Sequence, residues 1–280
     1  MTKSIRSITE PISNIMGIER ELVRIKTTLD DQDTTHIYFV NSYLVITQAI
    51  YQFFDQHHEV DDLDFDWSFY NRLSVCFAQR YFDQYHRFEK GEHANNPWKT
   101  VFELSQNYDD VGVAVTAGLM AHMHFDLPLS IATSLESVSD TQQTFSSEKK
   151  DVYLKMNSII SGAIKPFVLQ TFELMQQRKE VEKYDFYYGK LHRKMNDRVC
   201  LIYISMLIRI VRGEAIWHYH EIREGRLTVS QLNDFTTKRI HMLGATPGLI
   251  SFFIFLFRVT PSIISLGLKR FFRNSIESYG

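Results

Sequence analysis

The sequence contains little cysteine, glycine and proline. Two cysteines among 280 residues are too few for a disulfide framework. Glycine (12) and proline (6) together reach about half of their usual share of roughly 12%. Because tight turns depend on these two residue types, the shortage disfavours a turn-rich all-β fold. We therefore expect a mostly helical chain.

The chain also lacks a dominant charge and a complete cofactor or catalytic motif. Lys and Arg number 31 against 33 Asp and Glu, a net charge of −2, which excludes nucleic-acid binding driven by net positive charge. No GxGxxG, GxxxxGKS/T, GxSxG or CxxC motif occurs. Nucleotide cofactors, a serine-hydrolase elbow and a zinc ribbon therefore have no support.

The most apolar stretch, residues 248–268, is interrupted. Arg258 and Pro261 divide it near its middle, whereas a membrane-spanning helix needs about 20 uninterrupted apolar residues. Two interpretations stay open: a buried helical hairpin, or an in-plane anchor whose basic end meets anionic lipid. The N-terminus has no apolar signal-peptide core, so we expect a cytoplasmic protein, with peripheral contact to the inner face of the membrane as the alternative.

Apolar residues elsewhere recur at helical rather than alternating spacing. Ile15, Ile18 and Leu22, for example, lie three or four positions apart on one helix face. We predict an all-α fold, a single compact bundle of about nine helices, in which Pro166 kinks or splits one long helix. The helices at 110–126 and 196–224 are expected near the centre. The predicted domains are a helical core, residues 1–247, and the apolar C-terminal segment, residues 248–280.

The segment DVGVAVTAGLMAHMHFDLPLS, residues 110–130, places polar side chains in an apolar helix. Its small residues, including Gly118, allow close approach to a neighbouring helix. His122 and Asp126 are four positions apart and share a face. Because Pro128 disfavours helical geometry at the residue before it, we expect the helix to end near Asp126.

A carboxylate at a helix C-terminus needs a positive partner. Protonated His122, an arginine from another helix, or a divalent metal ion held by His122 and Asp126 would meet that need. The alternative is structural: Asp126 caps the next helix and accepts a hydrogen bond from His122.

Several motifs resemble a bacterial family known only as domain of unknown function 5995. They are FAQRYFDQY at 77–85, PW at 97–98, AHMHFDL at 121–127 and MNSII at 156–160, so the resemblance covers roughly residues 60–170. It implies an all-helical fold and no established activity. His124 departs from the family pattern, which usually has Asn there. The positions that match are Arg80, Tyr81, Trp98, His122, Asp126 and Asn157.

A fainter resemblance is to zinc-dependent phospholipase C, which carries a His-x-x-x-Asp pair on a core helix followed by Pro. The further His and the N-terminal Trp ligand of those enzymes are absent here. A second pair lies in WHYHEIREG, where His220 and Glu224 are four apart, and Glu214, just before this motif, is four positions from His218. We expect these residues to form an exposed, solvated charge cluster.

These features favour a helical-bundle enzyme that acts on an apolar or phosphate-bearing small molecule. We expect His122 to be the general acid or base or a metal ligand, Asp126 to orient it, and Arg80 to bind an anionic group. The predicted substrate-binding residues are Tyr81, Trp98 and Asn157. The alternative is a non-catalytic helical protein associated with a membrane or partner through residues 248–273.

Overall fold

The computed structural model describes residues 12–32, 34–57, 66–92, 95–107, 109–136, 145–178 and 198–244. Within these ranges every regular element is helical, which confirms the predicted all-α fold. Three of the elements follow one another without a break, so the described residues form eight continuous helices, close to the predicted nine. The elements are α1 (Ile15–Asp30), α2 (His36–His57), α3 (Trp67–Glu89), α4 (Pro97–Asn107), α5 (Val111–Met120), a π-helical segment (Ala121–Asp126), α6 (Leu127–Glu136), α7 (Ser147–Gln177), α8 (Arg198–Arg223) and α9 (Val229–Gly244).

Several helices begin at a polar side chain that caps a free backbone amide. Asn14 accepts a hydrogen bond from the amide of Gly17 at 3.0 Å and so starts α1. Asp110 does the same for Val113 at the start of α5, also at 3.0 Å. These caps satisfy amides that have no partner within the helix, and they fix where each apolar face begins.

Helix α7 stays a single helix from Ser147 to Gln177, with Pro166 inside it. Of the two outcomes predicted for Pro166, a kink or a split, the split does not occur. The residue is exposed, so water can satisfy the backbone carbonyl that loses its partner at the proline. Tyr153 joins α7 to α8: its hydroxyl donates to the carbonyl of Arg212, and the Arg212 guanidinium donates to the carbonyl of Tyr153, both at 2.8 Å.

The π-helical segment lies at the centre of the described bundle, as predicted for the helix at 110–126. It packs against α3 and α4 on one side and against α8 and α9 on the other. Helix α2 covers α5 and also packs against α1 and α7. Because α4 and α9 also pack against each other, the two sets of helices meet around the segment, which presents side chains to both.

The predicted C-terminal segment at 248–280, its apolar stretch and the domain boundary at 247 lie outside the described residues. Among the helices that are described, none combines the length and the apolar character needed to cross a bilayer.

Gly118 allows α5 to approach α2 closely, as the small-residue pattern predicted. A Cβ atom at this position would lie 2.3 Å from Cδ2 of Phe39. That distance is far inside van der Waals contact, and the Phe39 ring is itself buried in the core. The α2–α5 contact therefore requires glycine here.

We predict that Gly118→Ala destabilises the fold by about 1–3 kcal/mol, because the added methyl group overpacks the core against Phe39. Urea unfolding followed by circular dichroism measures the change. Gly162→Ala is the matched control, since nothing lies within 4 Å of a Cβ atom at this exposed position of α7. The control should be neutral or stabilising by up to about 1 kcal/mol. Equal midpoints for the two variants would contradict the prediction.

Candidate functional site

The sequence predicted that the helix ends near Asp126. In the structure it instead continues through a wide turn into α6. The amide of Leu127 donates to the carbonyl of His122, five residues back, which defines the π-helical geometry. In a regular α-helix the ring of Pro128 would clash with the carbonyl four residues earlier. One wider turn gives that ring room, so the helix passes the proline. Such π-helical turns are frequent at functional sites.

Asp126 holds the centre of the site through one carboxylate oxygen. Its Oδ2 accepts a hydrogen bond from the indole N–H of Trp98 at 2.8 Å and lies 3.0 Å from Nδ1 of His122. Asp126 and His122 are only 1% and 3% exposed. The prediction that this pair shares a sheltered helix face is confirmed, and the Asp126 carboxylate, rather than capping a helix through Oδ2, joins the π-helical segment to α4.

The hydrogen bond to Asp126 determines which nitrogen of His122 is available. An ionised Asp126 carboxylate can only accept hydrogen bonds, so Nδ1 of the imidazole carries the proton and donates to Oδ2, the oxygen that also accepts from Trp98. Nε2 then carries the lone pair. Among the described residues this buried nitrogen has no hydrogen-bond partner, which is uncommon for a buried polar atom.

Aromatic side chains from three helices surround the His122 ring. Phe77 stacks on it, with ring centroids 3.5 Å apart and planes 12° apart, and Tyr43 packs against it at 4.6 Å. Phe77 and Tyr43 are partly exposed, so they lie between the imidazole and solvent. The buried rings of Phe39, Tyr81 and Trp98 complete the surroundings about 6 Å away.

Burial shifts both titrating groups toward their neutral forms. It lowers the pKa of His122, which the hydrogen bond and charge of Asp126 oppose. It raises the pKa of Asp126, and the hydrogen bonds from His122 and Trp98 oppose this shift. A neutral imidazole beside a carboxylate is the protonation state that leaves a basic nitrogen.

The other residues singled out by the sequence lie at different distances from this pair. Arg80 donates from Nη2 to Thr133 at 3.1 Å and to the carbonyl of Leu129 at 3.3 Å, so it fastens α3 to α6. Its charge acts on Asp126, where it opposes the rise in pKa that burial causes. Asn157 is buried on α7, and no hydrogen bond or ring contact of the described residues joins it to His122 or Asp126.

Tyr81 packs near His122, but its hydroxyl has another partner. It lies 3.0 Å from Nε2 of His36, a fully buried histidine at the start of α2. Burial lowers the pKa of His36 to about 3. The sequence did not indicate this pair, because its two residues are 45 positions apart.

The sequence predicted that Glu214 and His218 belong to an exposed charge cluster. The structure shows that they do not. Their side chains are only 8% and 3% exposed, because this face of α8 packs on the π-helical segment. Glu214 Oε2 lies 3.5 Å from Nδ1 of His124, which projects from the opposite side of the segment to His122. The expectation holds better for Glu224, which is exposed and pairs with Arg226, while His220 is partly exposed.

A metal ion was also predicted at His122 and Asp126. Nδ1 of His122 and Oδ2 of Asp126 already bond to each other. Within the described residues, neither belongs to a group of three His, Cys, Asp or Glu side chains close enough to hold an ion. A metal at this pair stays a prediction that rests on the pair alone.

These features define the chain as an all-helical protein with a buried His–Asp pair at a π-helical turn. A family of unknown function, DUF5995, matches residues 15–222. The match covers well over half of the chain, so the protein belongs to this family, and the resemblance inferred from the motifs is confirmed over a longer range. No curated protein and no solved structure matches the chain, and the resemblance to zinc-dependent phospholipase C is not shown.

We predict that His36 makes the fold less stable in acid. Its pKa in the folded protein, about 3, is below that of an unfolded histidine, so the unfolded state binds more protons as the pH falls. Stability is then lost below about pH 6.5, with a slope of up to about 1.4 kcal/mol per pH unit from this residue. His36→Gln should flatten the pH dependence of the unfolding free energy between about pH 4 and 6.

The control is His241→Gln, at an exposed position of α9, which should leave the slope unchanged. Urea unfolding at a series of pH values measures both variants. An unchanged slope in His36→Gln would contradict the prediction that the buried His36 ring makes the fold less stable in acid.

Proposed function

We propose that this protein is an enzyme in which His122 acts as a general base toward a small, largely apolar substrate. The observation that carries the proposal is the position of Nε2, buried and without a partner among the described residues while Nδ1 is held by Asp126. A base must present a lone pair in a fixed direction, and this arrangement provides one.

Each neighbour of His122 has a definite part in this chemistry. Asp126 keeps the proton on Nδ1 and stabilises the imidazolium that forms when Nε2 accepts a proton. Trp98 holds the carboxylate in place by donating to the same oxygen. The low dielectric of the buried site strengthens both interactions. Asp126 and Trp98 are therefore positioning residues in the proposal.

The surroundings of His122 support an apolar substrate. A molecule that reaches Nε2 meets aromatic rings on several sides, and the partly exposed rings of Phe77 and Tyr43 are the ones that it would displace. Arg80, on α3, is close enough for its charge to act on Asp126. Because a guanidinium has five N–H donors, Arg80 is also the residue that would attract an anionic or phosphate group on the substrate.

We predict that His122→Gln lowers the rate of hydrolysis of p-nitrophenyl butyrate, a small apolar ester, by at least about 100-fold, because general base catalysis contributes that much or more. Asp126→Asn should also lower the rate. Steady-state kinetics and circular dichroism of each variant provide the measurement. His241→Gln, on the exposed face of α9, is the control and should keep the wild-type rate.

The pH profile tests whether Asp126 acts through His122. The hydrogen bond and charge of Asp126 raise the pKa of His122, so in Asp126→Asn the rising limb of kcat/KM should move to lower pH. A wild-type rate no higher than that of His122→Gln would contradict the proposal. So would a residual Asp126→Asn activity with an unshifted profile.

The alternative function, association with a membrane or partner through residues 248–273, concerns residues outside those described. No observation among the described residues supports it.

A further inference from the structure

His124, Glu214 and His218 form a second buried cluster on the other side of the π-helical segment. Nδ1 of His124 lies 3.5 Å from Oε2 of Glu214, and Nε2 of His218 lies 3.9 Å from Oε1. One ligand atom from each residue can be chosen so that all three lie within 4.8 Å of one another. The three side chains are 1%, 8% and 3% exposed.

These spacings suit a small divalent ion. Zinc holds nitrogen and oxygen ligands at about 2.0–2.2 Å in a tetrahedral arrangement, so its ligand atoms lie roughly 3.4 Å from one another. Small rotations of the two imidazoles would bring the observed separations to this value. Glu214 and His218 are one helical turn apart on α8, which gives two ligands from one rigid element, and His124 adds a third from the π-helical turn.

The protonation states of the cluster also suit metal binding. Burial lowers the pKa of His124 to about 3 and that of His218 to about 4, so both imidazoles are neutral near pH 7 and each has a lone pair. Neutral imidazole and carboxylate are common zinc ligands.

The carboxylate of Glu214 has one oxygen committed and one available. Nη1 of Arg239, on α9, lies 3.3 Å from Oε1, and the Arg239 guanidinium also stacks over the ring of Phe235 at 4.1 Å. Oε2 is buried and makes no hydrogen bond among the described residues. Arg239 thus orients the carboxylate, as outer partners of metal ligands do, while its positive charge opposes a cation nearby.

We infer that His124, Glu214 and His218 bind a divalent transition metal ion of the zinc type, with Glu214 ligating through Oε2. Three protein ligands leave a fourth tetrahedral position for water or an anion, as in catalytic rather than structural zinc sites. The inference does not depend on the role proposed for His122, which faces the opposite set of helices.

The test uses the full chain, stripped with chelator and dialysed, and titrated with ZnCl2 by calorimetry. We expect one tightly bound ion per chain. Glu214→Gln and His218→Gln should each weaken zinc binding by at least about 100-fold, since loss of a ligand costs no less than loss of an outer partner. Co²⁺ in place of zinc should give the strong visible absorption of a tetrahedral site in the wild type and lose it in both variants.

Arg239→Gln should change the zinc affinity in the opposite direction. It removes a positive charge beside the ion but leaves an amide that can bond Oε1, so zinc affinity should rise severalfold. A merely structural Arg239–Glu214 ion pair would not produce this gain.

Two controls separate this site from other histidines. His241→Gln, an exposed residue of α9, and His122→Gln should both bind zinc as the wild type does. The inference is overturned if the wild type takes up no zinc, if the correctly folded Glu214→Gln and His218→Gln variants bind it unchanged, or if His122→Gln abolishes binding. Because zinc uptake and ester hydrolysis are measured separately, failure of one proposal does not imply failure of the other.

Discussion

The feature on which the site depends is the wide turn that carries the central helix past Pro128. An α-helix that ended at Asp126 would leave this carboxylate at the negative end of a helix dipole. The hydrogen bond from Leu127 back to His122 instead continues the helix into α6. Asp126 therefore stays inside a helix, where the Trp98 indole of α4 can reach it. The same turn directs His122 and His124 to opposite sides of the bundle.

The polar groups of this turn differ in how fully they are hydrogen-bonded, and this difference is the physical argument for function. Asp126 Oδ2 has two donors, whereas Nε2 of His122 has no partner among the described residues. An unsatisfied buried polar atom costs about 1–3 kcal/mol, and an apolar side chain of similar size at position 122 would avoid that cost. The fold keeps the imidazole nevertheless, among the rings of Phe39, Tyr81 and Trp98.

The sequence predicted those features that depend on neighbours along one helix. His122 and Asp126 share a face because residues four apart do so in any helical turn, including this one. The helix end was predicted wrongly, because the rule for the residue before proline assumes α-helical geometry and a wider turn escapes it. The burial of Glu214 and His218 was missed, since it results from α8 packing on a segment some 90 residues away. Tyr81 was predicted to bind substrate, whereas its hydroxyl lies 3.0 Å from Nε2 of His36 on another helix.

The charges around the two histidines explain why the neighbouring residues suit different chemistry. The carboxylate beside His122 contacts an indole and an imidazole, both neutral, and Arg80, a cation whose charge acts on it, donates to α6 instead. Its negative charge is thus available to stabilise a proton arriving on the imidazole. The carboxylate beside His124 already has Arg239 on one oxygen, so a proton on that imidazole gains less, while the other oxygen lies 3.5 Å from Nδ1 of His124. One helical turn thereby presents a basic nitrogen to a group of aromatic rings and a metal-ligand atom to the opposite helices.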